Sequence, residues 1–294
     1  MSLRFSPDRL ATEIDRILGF LATRIEHGQK VVLGVSGGVD ADVTARLAAR
    51  ALGADRLKLF TVVHASMEPR HLDNARKLAA ALGVPLVELM LADWAPGLIA
   101  ELCRADPGEG FSNEALLDIG RARNCLRTAI YSIYHDRGYL TLATSNRTEV
   151  ECGFFVRLAD GIWHLGPIAH LYKTQVYQLA AALGSDPDVI RQPASAGYWP
   201  GESDLEDIAY WLVNLKPIGA QRRFDAAEIE LAQAIWAELT FERMDRGLQL
   251  IAAGCSDPAI IAAASGLSVG TSHRLLTLTA AARSIAAIPV FRTL

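Results

Sequence analysis

The chain has 294 residues, 51% of them hydrophobic and 21% charged, with 29 Lys and Arg against 33 Asp and Glu. That is enough chain for one well-filled domain with an appendage, and it is too apolar for long disorder. A formal net charge of −4 supplies no general basic field for nucleic acid.

Cys103, Cys125, Cys152 and Cys255 are widely spaced and form no CxxC pair, which points to reduced thiols rather than disulfides or a zinc site. The first residues carry Arg4, Asp8, Arg9 and Glu13, with no apolar signal-peptide core. No segment approaches the ~18 unbroken apolar residues of a membrane span. A cytoplasmic protein with no membrane partner is expected.

Leu10, Ile14, Ile17, Leu18 and Leu21 recur at helical spacing and predict a helix over 7–27. An apolar run predicts a strand at 31–35, and Val43, Leu47, Ala48 and Leu52 predict a helix at 41–52. A second strand is expected at 57–64, then a helix at 70–82 ending in Gly83-Val84-Pro85, then a third strand at 86–91. After the polar, glycine-bearing stretch 106–113, a helix is expected over 114–136 and a fourth strand at 140–144, which runs into SNRTE. Strands alternating with helices predict a doubly wound parallel sheet with ligands at the C-terminal strand edges. The turns at 36–40 and 144–149 both fall there.

Beyond residue 205 the pattern is helical, without strands. The segment 248–278 contains GCSDPAIIAAASGLSVGTSHRLLTL, which reads as helix, glycine turn, helix. A DNA-reading helix-turn-helix has this outline, but the stretch offers only His273 and Arg274 as cations. A small helical packing module, and no nucleic-acid partner, is the expectation.

The turn in VVLGVSGGVDADVT joins a strand to a helix through glycines, a layout that presents backbone N–H groups and a helix dipole to an anion. It also serves as a plain strand-to-helix connection, and the turn alone leaves both readings open. It lacks the Lys-Ser/Thr of a Walker loop, and GxGxxG is absent.

SGGVD after the first strand resembles the loop of the ATP pyrophosphatase (PP-loop) superfamily, whose members cleave ATP between the α and β phosphates. LATSNRTE (142–149), GPIAHLYKTQVYQLA (166–180) and QPASAGYWPGESDLED (192–207) follow in order and resemble the ammonia-dependent NAD synthetase family, over roughly residues 10–210. The resemblance implies an α/β fold, a doubly wound parallel sheet of the adenine nucleotide alpha-hydrolase-like kind. Residues 1–210 would form the ATP pyrophosphatase-like domain, with 211–294 a helical C-terminal extension packed on it. The implied activity converts nicotinate adenine dinucleotide, ATP and ammonia to NAD, AMP and pyrophosphate, with Mg²⁺ as cofactor.

A carboxylate is a poor electrophile because its leaving group would be oxide, and adenylation turns that oxygen into part of AMP, which leaves readily. Such chemistry asks for positioning and charge neutralisation rather than a side-chain nucleophile. By resemblance, Gly34, Val35, Ser36, Gly37, Gly38, Val39 and Asp40 bind ATP, with backbone N–H groups of the turn on the pyrophosphate. Asp40 and Glu149 would hold Mg²⁺, which prefers hard oxygen ligands. Thr144 and Ser195 would contact ATP, and Lys173 would neutralise developing phosphate charge, making Lys173 and Asp40 the catalytic pair. Arg123, Arg157 and Asp160 would bind the acid substrate.

Each has a plainer alternative: Asp40 as a helix N-cap, Glu149 as a first-turn acid, Thr144 as a strand-end cap, Lys173 as a solvated helix-start lysine and Ser195 as loop chemistry.

The sequence also departs from the family pattern. Ala41 stands where the family has a serine, removing one charge-assisted donor to pyrophosphate worth about 1.5–3 kcal/mol if nothing replaces it. Arg157 in FFVRLADG replaces a lysine, while Asp160 is kept. The substrate-gripping arginine helix is only approximated by GRARNCLR, where Arg121 and Arg127 compete with Arg123. A basic C-terminal run is reduced to Arg283 in AAARSIAAIP, and 216–245 reads as an insertion.

Three functions follow: an NAD synthetase, a paralogue amidating another acid such as a mononucleotide, and a non-catalytic nucleotide-binding protein. The retained Asp40, Glu149 and Lys173 weigh against the third. No glutaminase constellation is visible, so ammonia is expected free or from a partner, and the resemblance implies a homodimer.

Overall fold

The computed structural model describes residues 3–161, 163–195, 201–219 and 222–286. Helix α1 (Pro7–Arg24) starts on a proline, whose fixed φ suits a first turn, and it buries Ile17 and Leu21. Strand β1 (Val31–Gly34) runs through the glycine turn into α2 (Val39–Leu52), against which α1 packs. Then come β2 (Leu57–Val63), α3 (Pro69–Leu82), β3 (Leu86–Met90), α4 (Trp94–Ala105), α5 (Leu116–His135), β4 (Leu140–Thr141) and α6 (Arg147–Cys152). No element is expected over WAPGLIAELCRA, which carries the weak helix formers Pro96 and Gly97. They fall in the first turn of α4, where a helix tolerates them, and Ala95 and Ile99 are buried.

The sheet is parallel throughout, in the order β3-β2-β1-β4, with Val31 opposite both Leu57 and Leu140. The β4 ladder is shorter than its apolar run suggests. Past Thr141 the chain pairs instead with Leu165 in an isolated parallel bridge. Strand order reverses between β1 and β4, and the crevice at such a reversal is where open α/β sheets bind ligands.

Seven further helices complete the described chain: α7 (Lys173–Leu183), α8 (Pro187–Arg191), α9 (Asp204–Asn214), α10 (Ala226–Glu238), α11 (Phe241–Ala252), α12 (Pro258–Ser265) and α13 (Val269–Ala286). Ile17, Leu33, Leu47, Leu59 and Leu179 belong to one apolar cluster, between α1, the sheet, α2 and α7. A second cluster holds Trp211, Leu212, Met244, Leu248, Leu275 and Leu278 of the helical region, together with Leu3, Cys152 and Tyr172. The helices from α9 onward therefore pack directly on α6 and on the start of α7.

The helix, glycine turn, helix reading of 248–278 is realised as core packing. Gly266 (φ 79°) ends α12, and Leu267, Leu275 and Leu278 are buried. Arg274 donates to the carbonyls of Leu212 and Val213, so one of the two cations is committed to closing α9. Residues 216–245 contain α10, which packs on α9, and the start of α11. All four cysteines are free thiols. Among the described residues, no helix is long and apolar enough to cross a membrane.

Candidate active site

The glycine turn after β1 is shaped by close approach. Gly37 has φ +80°, and a Cβ there would lie 2.0 Å from the His71 carbonyl oxygen, so only glycine fits. Gly34 donates its N–H to Tyr131 Oη at 2.8 Å, and a Cβ on Gly34 would stand 2.9 Å from that oxygen. Gly38 is the N-cap of α2 and offers no side chain to its first turn. Asp40 is therefore not the cap. It sits one residue inside the helix, with its carboxylate turned to the crevice.

Across the crevice, Asn146 caps α6. Its Oδ1 accepts the Glu149 N–H at 3.1 Å, while Glu149 Oε2 accepts the Asn146 N–H at 3.4 Å. The same Asn146 donates Nδ2 to Asp40 Oδ1 at 3.0 Å and to Glu149 Oε1 at 2.6 Å. Helix capping by Glu149 and its meeting with Asp40 are one arrangement.

Lys173 opens α7 and is 2% exposed, which removes the solvated-lysine alternative. Its Nζ lies 2.5 Å from Asp40 Oδ2, 3.7 Å from Glu149 Oε1 and 4.0 Å from Asp204 Oδ2, and 5.5 Å from the centre of the Phe241 ring. Three carboxylates thus face one ammonium. Burial works against the Lys173 charge, but Asp40, Glu149 and Asp204 outweigh it and hold the amine protonated. Burial, with Asp40 adding to it, pushes Glu149 well above the usual carboxylate range. Burial also pushes Asp204 up to about 6, with Asp40 and Glu202 assisting against Lys173.

Among the described residues, no three His, Cys, Asp or Glu side chains form a metal cage. An excess of negative charge and an all-oxygen pair, Asp40 and Glu149 on one Asn146, is a donor set that fits Mg²⁺, an ion that fills its remaining positions with water and phosphate oxygens.

These groups line a cavity of about 470 Å³ that also includes Gly34, Ser36, Gly38, Val39, Ala41, Thr144, Asp160 and Ser195. Val35 and Gly37 are buried and outside this lining, Val35 lining a smaller neighbouring cavity. Ser195 donates to Glu202 Oε2 at 2.9 Å, and Asp160 pairs with Arg127 at 3.3 Å. Arg127 and Arg121 line the cavity, whereas Arg123 belongs to a neighbouring cavity of about 80 Å³ with His64, Met67 and His71, bonded to Ser66 at 2.8 Å. Burial, together with the charges of Arg123 and Arg127, lowers His64 to about 4. Arg157 is exposed and outside both linings, and Arg283 is exposed on α13.

Ala41 is buried at the cavity wall, and neither neighbouring polar residue replaces a serine there. Asp42 is turned to Arg46 and Ser185, and the Thr44 hydroxyl is buried without a partner. Residues 196–200 of the QPASAGYWPGESDLED motif and 287–289 of AAARSIAAIP lie outside the described residues.

Sequence reasoning missed Asn146, Asp204, Asp207 and Tyr131, and the wall formed by Tyr210, Trp211, Arg222 and Phe224. Asn146 sits inside the quoted motif SNRTE and Asp204 and Asp207 inside ESDLED, so motif position was a usable signal for these three. The others lack one.

A parallel sheet reversing at a crevice, with a glycine turn, a carboxylate pair and a buried lysine at its mouth, defines a nucleotide-using α/β enzyme. The family model described as NAD synthase matches residues 13–234, and the chain belongs to that family of C–N-forming ligases. It is 31% identical over 210 positions to the NH(3)-dependent NAD(+) synthetase of Methanosarcina mazei, covering 69% of this chain and 79% of the relative. The corresponding protein of Rhizobium meliloti is 29% identical over 305 positions, 82% of this chain and 91% of that one. Among solved structures, the NMN synthetase from Francisella tularensis matches 99% of this chain and 100% of its own, with TM-score 0.71 and 17% identity. An NH3-dependent NAD synthetase from Campylobacter jejuni matches 79% and 97%, with TM-score 0.54 and 20% identity.

Proposed function

We propose that the protein joins ammonia to the carboxylate of nicotinate adenine dinucleotide at the expense of ATP, yielding NAD, AMP and pyrophosphate. The observation that carries this reading is the convergence of Asp40, Glu149 and Lys173 on the crevice beside the SGG turn. In the first step a carboxylate oxygen of the acid bonds to the α-phosphorus, and the bond from that phosphorus to the bridging oxygen breaks, releasing pyrophosphate. In the second, ammonia bonds to the acyl carbon, the acyl–oxygen bond breaks, AMP leaves and one proton goes to solvent.

First-turn N–H groups of α2 and the SGG backbone receive the pyrophosphate, because they have no intrahelical acceptor. Lys173 supplies a fixed positive charge where negative charge develops, already desolvated and held by its carboxylates. Mg²⁺, when bound by Asp40 and Glu149, would supply further neutralisation of phosphate charge. Thr144 and Ser195 line the cavity for the nucleotide, and Asp160 with its partner Arg127 lines it for the acid. Free ammonia as nitrogen source and a homodimeric assembly belong to the same reading.

A second reading, nicotinate mononucleotide as the acid, is favoured by one observation. The likeness to the NMN synthetase structure extends through the helical extension, whose Trp211, Arg222 and Phe224 wall the cavity beside Tyr210. Pyrophosphate release from ATP, Mg²⁺ and ammonium with each nucleotide decides between them. Turnover is expected with the dinucleotide. Turnover confined to the mononucleotide selects the second reading, and none with any carboxylic acid overturns both.

A further inference from the structure

Asp245, on α11 of the helical extension, is fully buried, and its carboxylate accepts three hydrogen bonds. Thr148 Oγ1 donates to Oδ1 at 2.5 Å, while the Thr174 N–H and Oγ1 donate to Oδ2 at 2.8 and 2.6 Å. Thr148 Oγ1 in turn accepts the Lys173 N–H at 2.9 Å. The donors come from the first turns of two helices. Thr148 precedes Glu149 in α6, and Thr174 follows Lys173 in α7.

We propose that Asp245 is a positioning residue, which locks the first turns of α6 and α7 together and so sets Glu149 and Lys173 at their mutual distance. The inference rests on the adenylation reading of those two residues. Burying a carboxylate is unfavourable unless it is hydrogen-bonded throughout, and packing alone would be served by an apolar side chain such as the adjacent Met244. What the carboxylate adds is geometry: a negative charge at the α7 N-terminus, where the dipole favours it, and a bridge no apolar group provides. The same helix places Phe241 beside Lys173 Nζ, so α11 supports the lysine at both its backbone and its ammonium.

Asp245→Asn keeps the volume but leaves an NH₂ group where a second acceptor stood. In the ligand-free protein, the amides of residues 172–175 are expected to exchange about tenfold faster, with the β1 and β2 amides as protected as in wild type. In turnover, kcat is expected to fall about 10–100-fold with KM for ATP within about threefold. Thr148→Val cuts the link to the Lys173 N–H while leaving both Thr174 bonds, and a fall of kcat is expected there too.

Met244→Ala opens a cavity in the same cluster. It should lower Tm while kcat per folded molecule stays within about twofold. Wild-type exchange and kcat in Asp245→Asn, wild-type kcat in Thr148→Val, or an equal kcat loss in Met244→Ala would each overturn the proposal. If the wild-type protein turns over no acid, the adenylation reading falls separately, and the exchange experiment still decides whether Asp245 locks the two helices.

Discussion

Replacing Lys173 by methionine keeps most of the buried stem and removes only the ammonium. In the folded protein Asp40 then loses a partner at 2.5 Å, Glu149 one at 3.7 Å and Asp204 one at 4.0 Å. Breaking a buried ion pair from one side costs about 3–5 kcal/mol, because the charge left behind stays desolvated. Burial has already raised Glu149 and brought Asp204 to about 6, and removal of the cation raises both further. Carboxyl groups raised in the folded state hold protons there that the unfolded chain has released. The deficit is therefore expected in full near pH 8 and reduced to about 1–2 kcal/mol near pH 5, where the cluster takes up protons.

Urea unfolding of wild type and Lys173→Met at both pH values, with and without Mg²⁺, measures this. Mg²⁺ should recover part of the loss by returning positive charge to Asp40 and Glu149. Pyrophosphate release should fall about 10²–10³-fold in kcat. A variant that turns over within a few-fold of wild type, with an equal stability loss at both pH values, would refute the electrostatic argument.

Asp204→Asn tests the same cluster from the acid side. Wild-type Asp204 contributes stability that is lost as pH rises through its folded pKa of about 6, so the asparagine variant should match wild type near pH 4 and exceed it near pH 8. The shift corresponds to a gain of about 2–3 kcal/mol in metal-free buffer. A pH-independent difference in unfolding midpoint contradicts it, and the opposing shift of His64 cancels because both proteins carry it. Ala41→Ser should tighten ATP–Mg²⁺ binding by up to about tenfold, since Asp42 and Thr44 are directed elsewhere, whereas Asp40→Ala should abolish both binding and turnover. Calorimetry with ATP–Mg²⁺ reads both, and intact binding in Asp40→Ala would reduce the glycine turn to a simple connection.

The local part of this site was legible because it is encoded locally. The SGG turn and the alternation of strands and helices depend on residues a few positions apart, and the sheet formed as that alternation implies. Lys173 was found by motif, but its burial was not. A lysine at a helix start reads as solvated until three carboxylates from distant segments surround it. Asp204 and Asp245 act through contacts that span 31 and 71 residues beyond Lys173 and Thr174, and no periodicity encodes such a meeting. The arginine ambiguity on α5 had a geometric source. Arg123 and Arg127, four residues apart on one face of the helix, both line the smaller cavity, while Arg121 and Arg127 line the larger one, a division that the run GRARNCLR alone does not show.

Leu3 is buried among side chains from the far end of the chain, and its neighbours extend the tie. The Leu3 carbonyl accepts Gln175 Nε2, Phe5 exchanges two bonds with Gln178, and Arg4 pairs with Glu242. During synthesis Arg4 leaves the ribosome well before its partner Glu242 on α11, 238 residues further on. An unfinished chain can order its sheet, but its first residues remain undocked and its Asp245 bridge unmade. A nascent chain stalled before residue 241 would lack Met244, Leu248, Leu275 and Leu278 of the second apolar cluster and present an open apolar flank to chaperones.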